Sequence, residues 1–107
     1  MSIIKYNKLV RDRIPEIIEA SGKTSVCREL SDPEYIAKLD EKLNEELAEY
    51  QESKSLEELA DLLEVMRAVA AARGSSMEEI ERIRQEKADK RGGFEKKLLL
   101  VEVRSDD

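Results

Sequence analysis

Residues 31–74 read SDPEYIAKLDEKLNEELAEYQESKSLEELADLLEVMRAVAAARG, and this stretch decides the fold. Within 32–52, Ile36, Leu39, Leu43, Leu47 and Tyr50 recur at steps of three and four, the period of an amphipathic helix. Ser31-Asp32-Pro33-Glu34 supplies the start: a capping oxygen, a proline in the first turn, and acidic residues at the positive helix end. Ser55-Leu56-Glu57-Glu58 reads as a capping box that opens a second helix. Its apolar positions Leu56, Leu59, Leu62, Leu63, Met66, Val69 and Ala70 continue to Arg73, and Gly74 ends it. The short Glu52-Ser53-Lys54 turn between them makes a helical hairpin. Such a hairpin exposes one long apolar stripe, and a second copy is the simplest cover, giving a four-helix-bundle-type core on oligomerisation.

Outward from the hairpin, Ser75 and Ser76 offer capping boxes with Glu78 and Glu79 to open a helix running to about Arg91, where Gly92-Gly93 stops it. Its apolar face is thin: Met77, Ile80, Ile83 and Ala88. Upstream, Ile14 to Ala20 reads as a short helix with Pro15 in its first turn and Gly22 beyond its end. Thr24 to Leu30 and Lys97 to Val103 are β-rich or apolar runs between turn signals, and they predict two strands able to pair as a small ribbon. The last three or four residues read as a loose tail. The expected fold class is therefore mainly all-α, as one domain over 1–107, a length within the roughly 50–250 residues of single domains.

Composition removes much of the usual chemistry. The chain has no histidine, which excludes Ser-His-Asp and Cys-His catalysis and histidine-ligated metals. Cys27 is the only cysteine, so neither an internal disulfide nor a four-cysteine metal site can form. Asp plus Glu is 25 against 19 Lys plus Arg, a formal charge of −6, which argues against general nucleic-acid binding. No apolar run approaches the roughly 20 residues of a membrane span and no signal-peptide pattern is present, so a cytoplasmic location without membrane partners is expected.

Among the acids, two pairs stand out: Glu46 with Glu49 on the first hairpin helix, and Glu58 with Asp61 on the second. Spacing of i, i+3 puts both members on one side. At about 100° per residue, Glu46 lies roughly 60° from the centre of the apolar stripe and Glu49 roughly 120°, while Glu45 turns toward water. Glu58 falls inside the apolar arc of the second helix and Asp61 about 40° beyond its edge. Carboxylates beside apolar arcs are costly unless paired or metal-bound; two like charges about 4 Å apart repel by about 4 kcal/mol at an effective dielectric of about 20. A divalent cation relieves this, and oxygen-only ligands favour Mg²⁺ first and Mn²⁺ second, with a polyphosphate substrate recruited beside the metal. Surface decoration is the alternative for any single acid, and Glu58 has a capping duty available. Basic residues gather near the two ends, Lys8, Arg11 and Arg13, then Lys87, Lys90 and Arg91, as candidate phosphate ligands. For the second cluster, the macrodipole at a helix C-terminus is an equally good reason.

Glu45-Glu46-Leu47-Ala48-Glu49 followed by Glu58-Leu59-Ala60-Asp61 resembles the EExxE…ExxD signature of the MazG-like all-α nucleoside triphosphate pyrophosphohydrolases. Tyr6-Asn7-Lys8-Leu9-Val10-Arg11-Asp12-Arg13-Ile14-Pro15 and Lys90-Arg91-Gly92-Gly93-Phe94 are similar to flanking segments of a phosphoribosyl-ATP pyrophosphohydrolase-like subgroup. Two departures stand beside it. The acidic pairs are closer together than in typical MazG domains, and Val65 stands where phosphoribosyl-ATP pyrophosphohydrolases of histidine biosynthesis carry a histidine. The resemblance implies Mg²⁺-dependent hydrolysis between the α and β phosphates of a nucleoside triphosphate, to a monophosphate and pyrophosphate. It implies Glu46, Glu49, Glu58 and Asp61 as metal ligands and Glu46 or Glu49 as proton acceptor, in an enzyme that clears nucleotides from the pool; a homodimer or higher homo-oligomer is expected from core size alone. Phosphoribosyl-ATP hydrolysis and a non-catalytic helical oligomer binding nucleotide or protein are the alternatives.

Overall fold

The computed structural model describes residues 2–105 and holds four helices, α1 (Ile14–Ala20), α2 (Asp32–Ser53), α3 (Leu56–Ala72) and α4 (Met77–Arg91). The described residues divide into two compact units, one up to Met77 and one from Glu78. In the first, α2 packs on α3 as an antiparallel hairpin tied at its open end by Arg73 Nη2 to Asp40 Oδ2 at 3.3 Å.

Local chemistry explains the hairpin's ends. Ser31 and Glu34 close a complete capping box at the start of α2, and Arg28 reaches both carboxylate oxygens of Glu34 at 3.3 and 3.2 Å. The Arg28 guanidinium, with the Ser31 backbone and hydroxyl, holds Glu34 down at about 2. At the turn, Lys54 adopts a left-handed φ of 57° and donates its N–H to the Tyr50 carbonyl at 2.7 Å. Ser55 then caps α3 at once, its hydroxyl accepting from the Glu58 N–H at 3.2 Å. Gly74, at φ +82°, closes α3 with a Schellman pair, its own N–H to Ala71 O and that of Ser75 to Ala70 O.

The hairpin buries little of its apolar surface by itself. Leu39 and Ala70 are its buried apolar residues, while Leu56, Leu59, Leu63 and Met66 on α3 and Leu47 on α2 stay exposed. In the second unit, α4 is a solvated helix laced by i, i+3 and i, i+4 pairs, Arg82 with Glu79 and Glu86, and Arg84 with Glu81.

The expected ribbon does not form. Neither Thr24–Leu30 nor Lys97–Val103 is a strand, and the described residues hold no strand at all. Local bonds take the donors that a ladder needs: the Ser25 N–H goes to Glu19 Oε2 at 2.8 Å, and the Lys97 N–H to Phe94 O at 3.1 Å, with Lys97 itself left-handed. A two-stranded ribbon without a third strand or a covering helix is marginal in any case. Leu98, Leu99, Leu100, Val101 and Val103 are left exposed. The expected terminal tail lies partly outside the described residues. Among the described residues no helix is long and apolar enough to cross a membrane.

Candidate metal centre

The hairpin brings the two acidic pairs together. Carboxylate oxygens of Glu46, Glu58 and Asp61 lie within 4.8 Å of one another, as do those of Glu45, Glu46 and Glu49. Glu46 belongs to both triads. It is the one buried charged residue described, 7% exposed, because its helix position turns it under the crossing of α2 with α3. Its Oε2 and the Oε2 of Glu58 are buried without a hydrogen-bond partner.

That arrangement is electrostatically unfavourable as it stands. Burial first, then the neighbouring Glu49 carboxyl, pushes Glu46 above its ordinary value, opposed by Lys42 and reinforced by Asp61. Glu58 is raised by the same kind of causes: loss of solvent, then Glu49 and Asp61, then Glu57. The capping duty does not account for Glu58. Only half of that box forms, because the Ser55 N–H is taken by the Ser53 hydroxyl at 3.3 Å, leaving the Glu58 carboxylate free to join the cluster.

Basic side chains partly compensate. Lys42 Nζ sits 3.3 Å from Glu45 Oε1 and 3.6 Å from Glu46 Oε1. From the N-terminal segment, Lys8 reaches Glu45 at 3.3 Å and Arg11 reaches Asp61 at 2.8 Å. Glu45 is therefore half-buried rather than turned to water: partial burial works to raise it, but hydrogen bonds from Lys8 and Lys42 hold it below its ordinary value. The helical wheel missed this because it treats α2 as isolated, without the segment that lies across it. Lys42 was also missed, although its i, i+4 spacing to Glu46 is a readable signal.

The other basic residues are placed differently. Arg13 is exposed and pairs with Glu16 at i, i+3, not with the acid cluster. Lys87, Lys90 and Arg91 are exposed on α4, in the second unit. That unit's cavity, about 420 Å³ around residues 91–98, holds no acid cluster. In the first unit a cavity of about 280 Å³ has Glu46 and Asp61 in its wall, with Arg11 and Lys42 beside them.

The donor set fits a hard divalent cation. It offers only carboxylate oxygens, two of them buried and unpartnered, in a site whose excess negative charge its own lysines and arginine do not cancel at those atoms.

No protein-family model matches the chain, and no solved structure matches it. A curated protein of Mycolicibacterium smegmatis, described as uncharacterized, is 69% identical over 42 residues, which is 39% of this chain and 43% of that protein. The match thus spans less than half of its relative's length.

Proposed function

We propose that this chain is a divalent-cation-dependent nucleoside triphosphate pyrophosphohydrolase of the MazG-like all-α kind, acting in the cytoplasm as a homodimer or larger homo-oligomer. The observation that carries this reading is the pair of buried, unpartnered oxygens, Glu46 Oε2 and Glu58 Oε2, within a cluster of oxygen donors. The exposed row Leu56, Leu59, Leu63 and Met66 supports assembly of two hairpins into a four-helix bundle.

Glu46, Glu49, Glu58 and Asp61 would hold Mg²⁺ or Mn²⁺, which when bound supplies charge neutralisation and Lewis acidity at the phosphates. The chain's own residues do the rest. Arg11, paired with Asp61, would be released toward the phosphate oxygens where a cation takes Asp61, and Lys8, paired with Glu45, stands in the same unit as a second phosphate donor. Glu46 or Glu49 accepts the proton of the attacking water. The water oxygen bonds to the α phosphorus, the bond from that phosphorus to the bridging oxygen breaks, and pyrophosphate leaves with the monophosphate as second product.

Product analysis tests this with an α-labelled nucleoside triphosphate and the full chain. Labelled monophosphate and pyrophosphate are expected with Mg²⁺ and neither with chelator; diphosphate with orthophosphate, or no turnover across a panel that includes phosphoribosyl-ATP, overturns it. The ion pairs from Lys8, Arg11 and Lys42 favour a second reading, a non-catalytic helical oligomer with its acids neutralised internally, in which nucleotide binding is indifferent to metal.

A further inference from the structure

The cavity of about 280 Å³ beside the acids has two walls of different origin. One belongs to the hairpin and carries Glu46 and Asp61; the other is made by Leu9, Val10, Arg11 and Asp12. That second wall is the end of a strap, residues 2–11, that precedes α1 and has no regular secondary structure. Among the described residues, no hydrogen bond joins the strap's backbone to that of α2 or α3. Ile3, Ile4 and Tyr6 lie exposed, and Leu9 is half-buried. The strap's polar anchors on the hairpin are two ion pairs, Lys8 Nζ to Glu45 Oε1 at 3.3 Å and Arg11 Nη2 to Asp61 Oδ1 at 2.8 Å.

The shorter anchor ends on a carboxylate of the acid centre. Oxygens of Asp61, Glu46 and Glu58 lie within 4.8 Å of one another, and Oε2 of each glutamate is buried without a partner. Arg11 is thus the counter-ion of Asp61 while the two glutamates wait on a charge that the strap does not deliver. A divalent cation among these three carboxylates repels the guanidinium and takes over the attraction that holds it. Arg11 is 60% exposed in its pair, and an exposed ion pair is readily given up.

We propose that residues 2–11 are a cation-released strap: Arg11 latches it over the cavity on Asp61 when the carboxylates hold no metal, and loading of the acid centre with a divalent cation frees it. With Arg11 off Asp61, the exposed pair from Lys8 to Glu45 and the half-buried Leu9 are left to hold the strap. The wall formed by residues 9–12 then comes away from the acids, and Arg11 is available to a phosphate. Metal therefore precedes the phosphate-bearing ligand. The inference rests on the metal centre of the hydrolase reading and adds the regulation of access to it.

Limited trypsin digestion of the full chain reads the strap without turnover, because the protease must take the Lys8 or Arg11 side chain out of its ion pair to cut beside it. Cleavage after Lys23, an exposed lysine of the same unit, is the internal reference. Mn²⁺, at concentrations shown by calorimetry to saturate, is expected to speed cleavage after Lys8 and Arg11 about two- to fivefold over that reference, the scale of one exposed ion pair. Arg11→Gln is expected to be cut after Lys8 at the fast rate without Mn²⁺, and to bind Mn²⁺ more tightly by about the same factor, since the coupling is reciprocal. Saturable Mn²⁺ binding with unchanged or slower cleavage at both sites overturns the strap and leaves the metal centre standing. An Arg11→Gln protein that still needs Mn²⁺ for fast cleavage does the same. Absence of saturable Mn²⁺ binding removes the metal centre and the strap with it.

Discussion

Replacing Glu46 by Gln is expected to raise the melting temperature of the metal-free protein while abolishing Mg²⁺-dependent pyrophosphate release. The two effects have one cause. Glu46 is 7% exposed, carries a buried oxygen with no partner, and faces Glu45, Glu49, Glu58 and Asp61 with only Lys42 in opposition. Ionised and metal-free, it destabilises the fold. The isosteric amide removes the charge, a gain of about 1 kcal/mol, or roughly 4–8 °C in a domain of this size. Losing a ligand oxygen is expected to lower turnover at least about a hundredfold.

The pH dependence carries the same signature. Glu46 and Glu58 have folded-state values above the ordinary 4.5, so the folded protein holds their protons more tightly than the unfolded chain. Their contribution is present below 4.5 and is lost as pH rises through the folded values. Glu34, held at about 2, acts oppositely, its contribution present above 4.5 and lost as pH falls toward 2. The metal-free native protein is expected to melt highest near pH 4.5, where the two opposing trends meet, and Glu46→Gln to flatten the decline on the neutral side. A variant that melts lower than the native protein at pH 7, or keeps its turnover, contradicts the assignment of Glu46.

Substituting Lys at both Leu59 and Leu63 is expected to abolish assembly and, with it, most of the helical structure. The hairpin of one copy buries Leu39 and Ala70, whereas Leu59 and Leu63 are 41% and 52% exposed on the row that continues through Leu56 and Met66. A core of two buried apolar residues is too small to hold a 22-residue and a 17-residue helix against their conformational entropy. Burying a leucine contributes about 1.5–3 kcal/mol, and in a two-fold assembly each substitution counts twice. Light scattering and circular dichroism read the outcome. A native chain that is monomeric and fully helical at micromolar concentration contradicts the bundle.

Helix positions are legible in this chain because their signals are local. Pro15, Ser31 with Glu34, Ser55 and Gly74 each act within a turn of themselves: α1, α2 and α3 start at the first three signals and α3 ends at the fourth. Strand pairing is a non-local property, and at Ser25 and Lys97 nearby acceptors win the donors. The acid cluster is half legible for a related reason. Periodicity turns Glu46 and Glu58 toward the helix crossing, but Glu45 depends on Lys8, which is 37 positions away in sequence, and no helical wheel contains that contact. Arg13 shows the converse: a basic residue two positions from Arg11 in sequence, yet directed to Glu16 within its own turn.

The most direct test of the carboxylate centre is a calorimetric titration of Mn²⁺ into the metal-free native protein, with Asp61→Asn titrated alongside. A saturable site is predicted in the native protein, at one or more ions per chain, that is lost or strongly weakened in the variant. Absence of saturable binding in the native protein, or identical binding in both, contradicts a metal centre built on Glu46, Glu49, Glu58 and Asp61.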